Sequence, residues 1–355
     1  MQRRRILQSA IAALMLPWLG SRALASTRDS ALSRHEYGSE ISIIRPPHPE
    51  SFPSKESMES YQYRLHRAVM GFIRDHYSGR NMPLWNKTPE EVDLETRISN
   101  IVYWVVLSVQ KHSGIYFVDP PWILAQIMEE SFFYEFAVSW SFASGICQFT
   151  IPTAESFDMV TPRSSELQDR ELSHPEKAGA LDRLTELRNK RNSLVSENEK
   201  LFRNQEELFR ESLEHHLRGE TMPLAERWMD LLRERDSLEA SIRNAQDEYR
   251  SFLQANYNGK NLFQQQDLDF LSRFDERVTY KKPIDAMVEM MGRYMRGRNG
   301  NLLAATAGYN AGLSRTYHPY AVYEPYGLMP NFNETASYVS KIAVNHHEIV
   351  KRMPG

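Results

Sequence analysis

Cysteine is nearly missing from this chain: Cys147 is the single one in 355 residues. One thiol cannot form an intramolecular disulfide, even in an oxidising compartment, and no cysteine lies near the N-terminus for lipid attachment. No histidine occurs between His112 and His174, so Cys147 has no nearby base in sequence and reads as a small buried apolar side chain, not a nucleophile. An excess of either charge is also lacking. The formal net charge is −3, which leaves no footprint for a nucleic-acid partner. There is no alternating strand series, and neither a dinucleotide-binding nor a Walker-type glycine loop. Metal-ligand spacings such as H-E-x-x-H or an EF-hand loop are absent too. The pairs His215-His216 and His346-His347 are helix neighbours that cannot both face one ion, so no metal and no cofactor are expected.

At 41% hydrophobic and 25% charged residues, the chain falls in the ordinary globular range and is long enough for one large or two modest domains. Residues 1–25 stand apart. Arg3-Arg4-Arg5 precede an apolar run from Ile6 to Leu19, and Ala23-Leu24-Ala25 ends it before Ser26. This is the pattern of a cleaved export signal, since the run is short for a bilayer span of about 20 residues. Arg3-Arg4 with Ile6-Leu7 also resembles the twin-arginine export pattern, and the mature protein is expected in the periplasm or the medium, with an uncleaved N-terminal membrane anchor as the alternative. Residues 26–56, with prolines at 46, 47, 49 and 53 and no apolar periodicity, read as a linker or extended arm.

From Met58 onward the apolar residues recur at helical spacing. Tyr61, Leu65, Val69, Phe72 and Ile73 share one stripe; Ile98, Ile101, Val102, Val105 and Val106 share another. Asp119-Pro120-Pro121 opens a third helix, with Asp119 as its cap, through Ile123, Leu124, Ile127 and Met128. Between about 161 and 272 the composition shifts to Glu, Arg, Leu, Asn and Gln. Leu187, Leu194, Leu201 and Leu208 recur every seven residues, with Phe202 and Phe209 beside the last two; Leu224, Leu231, Leu238 and Phe252 continue on a second frame after the break at Gly219–Pro223. An antiparallel, coiled-coil-like hairpin with arms of about 50 to 60 Å is the expectation. It either pads the main body or reaches an envelope partner or a second copy of itself. The fold class is mainly α.

Glu130-Ser131 ends the third helix. Glu130 lies seven residues after Ile123 and three after Ile127, so it flanks a buried stripe, where desolvation should raise its pKa toward roughly 6. The stretch Ser139–Gly145 holds five small residues in seven, as expected where a loop lets an extended ligand approach its backbone. Gln148 follows, with an amide able to bond sugar hydroxyl or N-acetyl groups. A helix-borne acid facing such a turn suits proton donation to a glycosidic oxygen. A second cluster is Asn301 to Ala305 with Tyr309-Asn310-Ala311-Gly312, where Gly312 ends a helix and Tyr309 and Asn310 add a ring and an amide. A third is Glu334-Thr335 with Tyr338-Val339.

Taken in order, these clusters resemble the lytic murein transglycosylases of the soluble, SLT-type family, relatives of goose-type lysozyme. The resemblance covers about residues 95–160 and 273–350. It implies a lysozyme-like catalytic domain from 57–160 and 273–355, with 161–272 inserted as the hairpin. It implies that Glu130 is the catalytic acid and base, and that Ser139, Gln148, Tyr309, Asn310, Glu334 and Tyr338 line or brace a cleft for peptidoglycan glycan strands. The implied reaction cleaves the MurNAc–GlcNAc bond and leaves a 1,6-anhydro sugar. Two other readings stand beside it: a hydrolytic muramidase using Glu135, Asp158 or Glu334 as its second acid, and a catalytically weak glycan-binding scaffold. Phe142 stands where the family commonly has glycine, and such a side chain is expected either to exclude a positive φ or to narrow the cleft. Cys147 stands where methionine is common.

Overall fold

The structure is a computed structural model that describes residues 55–353; the expected export signal and nearly all of the expected linker lie outside the described residues. Those described form twelve α-helices joined by turns and short 3-10 segments, with no strand beyond two isolated bridges in one loop. No helix among them is long and apolar enough to cross a membrane.

Helix α1 (Lys55–Tyr77) begins two residues inside the stretch read as linker, directly after Pro53 and Ser54, because nothing beyond that proline bars a helix. It buries Leu65, Val69, Phe72 and Ile73 against α2 (Leu94–His112), whose Ile98, Ile101, Val102, Val105 and Val106 form the matching apolar face. Next come α3 (Pro120–Ser131) and the five-residue α4 (Ile151–Glu155). On the far side of the chain, α10 (Lys281–Gly297) packs Met287, Val288 and Met291 against α2, and α12 (Asn333–Val350) lies along α3. Between them, α11 (Leu302–Ala311) is buried on most sides. Its Ala304, Ala305, Ala307 and Gly308 are small enough to admit the neighbouring helices closely.

Polar contacts tie these distant segments together. Trp122 Nε1 donates to Thr306 Oγ1 at 3.0 Å, and His112 Nε2 meets Asp285 at 3.0 Å. His346 Nε2 meets Asp119 at 2.7 Å, which corrects the capping role expected of Asp119. Its side chain makes no cap bond to α3. The reason is local: Pro120 and Pro121 have no N–H to cap, and the Trp122 N–H is taken by the Asp119 carbonyl at 3.0 Å, which leaves the carboxylate free for His346.

Residues 161–179 form turns and two 3-10 segments, so helix starts well after the composition changes. Helices α5 (Ala180–Glu197), α6 (Glu199–Arg203) and α7 (Gln205–Leu217) then run outward, and the 35-residue α8 (Pro223–Tyr257), about 50 Å long at 1.5 Å per residue, returns. The pairing is antiparallel: Arg183 bonds Glu248, Arg191 bonds Glu239 at 2.9 Å, and the Phe202 and Trp228 rings meet edge-on at 4.8 Å. The outgoing arm is not one continuous helix. At Asn198 the side-chain amide donates to the Leu194 carbonyl, the acceptor a continuing helix reserves for its backbone, and the chain breaks there and again at Asn204. Beyond the second break only Leu208 stays buried, whereas Phe209, Leu213 and Leu217 are exposed. The stripe through Phe209 therefore does not persist. Helix α9 (Gln265–Phe274) leads back to α10.

Candidate active site

Helix α3 is apolar almost all round and buries Trp122 through Met128; its polarity returns at Glu129 and Glu130, which are only partly buried at its C-terminal end. Their fates differ. Glu129 is paired with Lys341 of α12 at 2.7 Å. Glu130 has no cation partner among the described residues. Desolvation against the surrounding core, with a smaller push from Glu129, drives its pKa from 4.5 up to about 8, against the opposing pull of a hydrogen bond from Tyr338. The shift runs in the expected direction and goes beyond the value anticipated.

That opposing bond fixes the geometry of the acid. Tyr338 of α12 donates its hydroxyl to Glu130 Oε1 at 2.5 Å, while Gln126, one turn earlier on α3, donates Nε2 to the Tyr338 oxygen at 3.1 Å. With Oε1 occupied as an acceptor, the carboxylic proton belongs on Oε2, which makes no hydrogen bond to the described residues. Burial and the neighbouring Glu130 together push the Tyr338 phenol far above its ordinary range, so it stays a donor at any working pH.

After Ser131 the chain makes a strained turn. Phe132 and Phe133 both take left-handed conformations, at φ +50° and +63°, and further on Phe142 (+62°) and Gln148 (+50°) do the same. Each such residue costs about 1 to 3 kcal/mol and persists only where its surroundings over-determine it. Here the surroundings are specific. Ser131 Oγ donates to the Ile146 carbonyl at 3.0 Å, so the residue beside the acid holds the far limb of the loop. Ser139 Oγ accepts from the Ala143 N–H at 3.0 Å, and Gln148 Nε2 donates to the Gly145 and Ala137 carbonyls at 2.8 and 3.2 Å. Ser139 and Gln148 thus spend much of their hydrogen-bonding capacity on the loop itself.

Two expectations about this loop need correction. Ala143, Ser144 and Gly145 are buried, so their small size does not serve an approaching ligand. Gly145 is small because a Cβ there would lie 1.8 Å from the Arg277 carbonyl oxygen, and its φ of +81° favours glycine independently. Phe142 neither avoids a positive φ nor narrows a cleft. Its ring is 4% exposed and meets Tyr249 of α8 edge-on at 4.9 Å, which places it in the core.

The strut behind the loop has almost no signature in the sequence. Arg277 is fully buried and forms a two-pronged pair with the equally buried Asp275, at 2.8 and 2.7 Å. Its remaining donor, Nη1, reaches the Phe142 and Phe149 carbonyls at 2.7 and 3.1 Å. Tyr257, the last residue of α8, donates to Asp275 at 2.5 Å and stacks on Phe136. Arg250 of α8 donates to the Val138 and Ser139 carbonyls at 3.2 and 2.9 Å. A D-x-R spacing is the only sequence signal for the strut, and nothing in the sequence flags Arg250.

The second and third sequence clusters converge on the same region. Tyr309 of α11 donates to the Cys147 carbonyl at 2.7 Å, and Asn310 Oδ1 accepts from Thr335 of α12 at 2.8 Å. Cys147 is fully buried, with its thiol pushed up by burial, as an inert apolar side chain would be. Glu334 is exposed on the first turn of α12, one turn before Tyr338, and makes no hydrogen bond to Tyr338, Gln126 or Glu130. Of the other acids weighed beside it, Glu135 is buried and bonded to Arg97 at 2.9 Å, and Asp158 is exposed.

The model of the transglycosylase SLT domain matches residues 108–192. Over that stretch the chain is similar to a transglycosylase SLT domain. The matched stretch contains α3, Glu130 and the whole strained loop, and runs into α5; the α11 and α12 clusters that close on it in space lie beyond it. The SLT domain supports an activity of the lytic transglycosylase type on peptidoglycan. No curated protein and no solved structure matches the chain. Among the described residues no group of three or more His, Cys, Asp or Glu is placed to hold a metal ion. A polar crevice of ≈ 770 Å³ between the end of α8 and α9 shares no residue with the SLT site, and its Lys260 and Arg273 are already paired with Asp267 and Glu171.

Proposed function

We propose that the protein is a lytic transglycosylase that cleaves the β-1,4 bond between MurNAc and GlcNAc in peptidoglycan, with Glu130 as both acid and base. The observation that carries the reading is a carboxyl held near pKa 8 that, among the described residues, has no cation partner and is hydrogen-bonded at Oε1 by Tyr338. At neutral pH about nine in ten Glu130 side chains then hold a proton. Oε2 passes it to the glycosidic oxygen as the C1–O bond breaks, and the sugar's own N-acetyl group supports the cationic C1. The C6 hydroxyl of the same MurNAc attacks C1, and Glu130, now a carboxylate, takes the C6 proton. One C–O bond is broken and one formed, the first proton stays on the leaving GlcNAc hydroxyl, Glu130 is reprotonated from the C6 hydroxyl, and no water is consumed.

A hydrolase of either common type needs a second carboxyl at about 5 to 9.5 Å. Glu135 is engaged by Arg97, and the acid acting on Glu130 is Glu129, itself paired with Lys341; both facts favour the one-acid route. On this reading the strands lie over α3, the 139–148 loop and the ends of α11 and α12, where Tyr309, Asn310 and Tyr338 brace the site. Residues 57–160 and 273–355 form the catalytic body, 161–272 is an insertion whose foot supports the loop, and the protein acts after export. Mass spectrometry of muropeptides released from sacculi tests this directly. Anhydro ends are expected, and they vanish with Glu130→Gln. Reducing ends would replace the reading with hydrolysis, and no release at all would leave the scaffold.

A further inference from the structure

The foot of α8 holds the loop of the SLT site at two adjacent residues. Tyr249 packs on Phe142, and Arg250 serves Trp140. The Arg250 guanidinium carbon lies 4.0 Å from the centre of the Trp140 ring while the same side chain bonds the carbonyls of Val138 and Ser139. Among the described residues no carboxylate forms an ion pair with this guanidinium, and its buried Nε has no hydrogen-bond partner. One arginine therefore pins both the ring and the backbone beneath it. Trp140 is nevertheless 60% exposed, and its indole N–H makes no hydrogen bond to the described residues. The result is an oriented, half-open aromatic plate with a spare donor, one residue from Ser139.

We infer that Trp140 is a sugar-stacking subsite of the glycan strand, and that Arg250 is its positioning residue. The inference rests on the proposed action on glycan strands. A pyranose presents a flat face of C–H groups that packs on an indole, and its hydroxyl or N-acetyl oxygens can accept from the indole N–H. An indole already fixed on one face by a cation loses little conformational freedom when a sugar covers the other, which is where an unpinned surface tryptophan would lose affinity. The hairpin thereby enters substrate recognition: its α8 supplies the arginine that sets the plate.

The test uses the full chain carrying Glu130→Gln, so that strands are bound and not cut, with peptide-free glycan strands prepared from sacculi as the probe and calorimetry as the readout. Adding Trp140→Ala should weaken binding about tenfold, Trp140→Phe should restore most of it, and Arg250→Ala should give an intermediate loss. Melting temperature is followed in parallel. Trp140 is exposed, so its two variants remain folded and decide the matter even if Arg250→Ala does not fold. Binding by Trp140→Ala within twofold of its parent overturns the inference and leaves the proposed function standing. If the Glu130→Gln parent itself binds no strands, the glycan reading and this subsite fall together.

Discussion

Glutamine in place of Glu130 should abolish cleavage, and it should also change stability in a way that depends on pH. The carboxyl titrates near 8 in the folded protein and near 4.5 when unfolded. Below pH 4.5 both states hold the proton, and glutamate and glutamine variants should be equally stable. Between 4.5 and 8 the unfolded chain releases its proton while the folded protein keeps it, so each pH unit costs the parent about 1.4 kcal/mol of stability relative to a residue that does not titrate. The full gap amounts to about 5 kcal/mol; because the carboxyl is partly open to water, a difference of about 2 to 3 kcal/mol is the expected size. Glutamine also keeps an oxygen to accept from Tyr338, so the hydrogen-bond chain from Gln126 survives. The assay is denaturant unfolding of both proteins at pH 4, 6, 7 and 9. Glu130→Gln should match the parent at pH 4, overtake it as pH rises, and hold a constant lead above pH 8. A difference that does not vary with pH, or a lead for the parent at pH 9, would refute the claim that this acid is kept neutral by burial.

Tyr338→Phe removes a bond that favours the ionised carboxylate, so the alkaline limb of the pH–rate profile should move upward while the maximal rate falls; a downward move contradicts the assigned donor. Arg277→Ala leaves Asp275 buried and unpaired and frees the Phe142 and Phe149 carbonyls, a loss of about 3 to 5 kcal/mol by chemical denaturation, whereas a change below 1 kcal/mol would show the strut to be idle. Phe142→Ala should cost about 3 to 5 kcal/mol through the cavity left against Tyr249. If its stability is kept and cleavage rises instead, the ring obstructs the cleft after all.

The helices around Glu130 could be read directly, because stripes such as Leu65–Ile73 and Ile98–Val106 repeat at the period of the helix and a helix needs only its own neighbours to form. Glu130 was legible for a related reason: its position beside the Ile123–Ile127 stripe fixed its desolvation before any partner was known. What the sequence could not show was everything that depends on residues far apart in the chain meeting. Tyr338 lies 208 residues from the acid it orients. Phe142 looked like an obstruction because its role is set by Tyr249, more than a hundred residues away, and the small residues at 143–145 seemed shaped for a ligand when they are shaped by Arg277. The heptads of the outgoing arm predicted a longer helix than forms, since the Asn198 side chain competes locally for a backbone carbonyl and the chain breaks again at Asn204. Local periodicity thus determined the helices and the desolvated setting of Glu130. Long-range hydrogen bonds and packing, which have no signature in spacing, decided which oxygen of that acid is free and what holds the loop beside it.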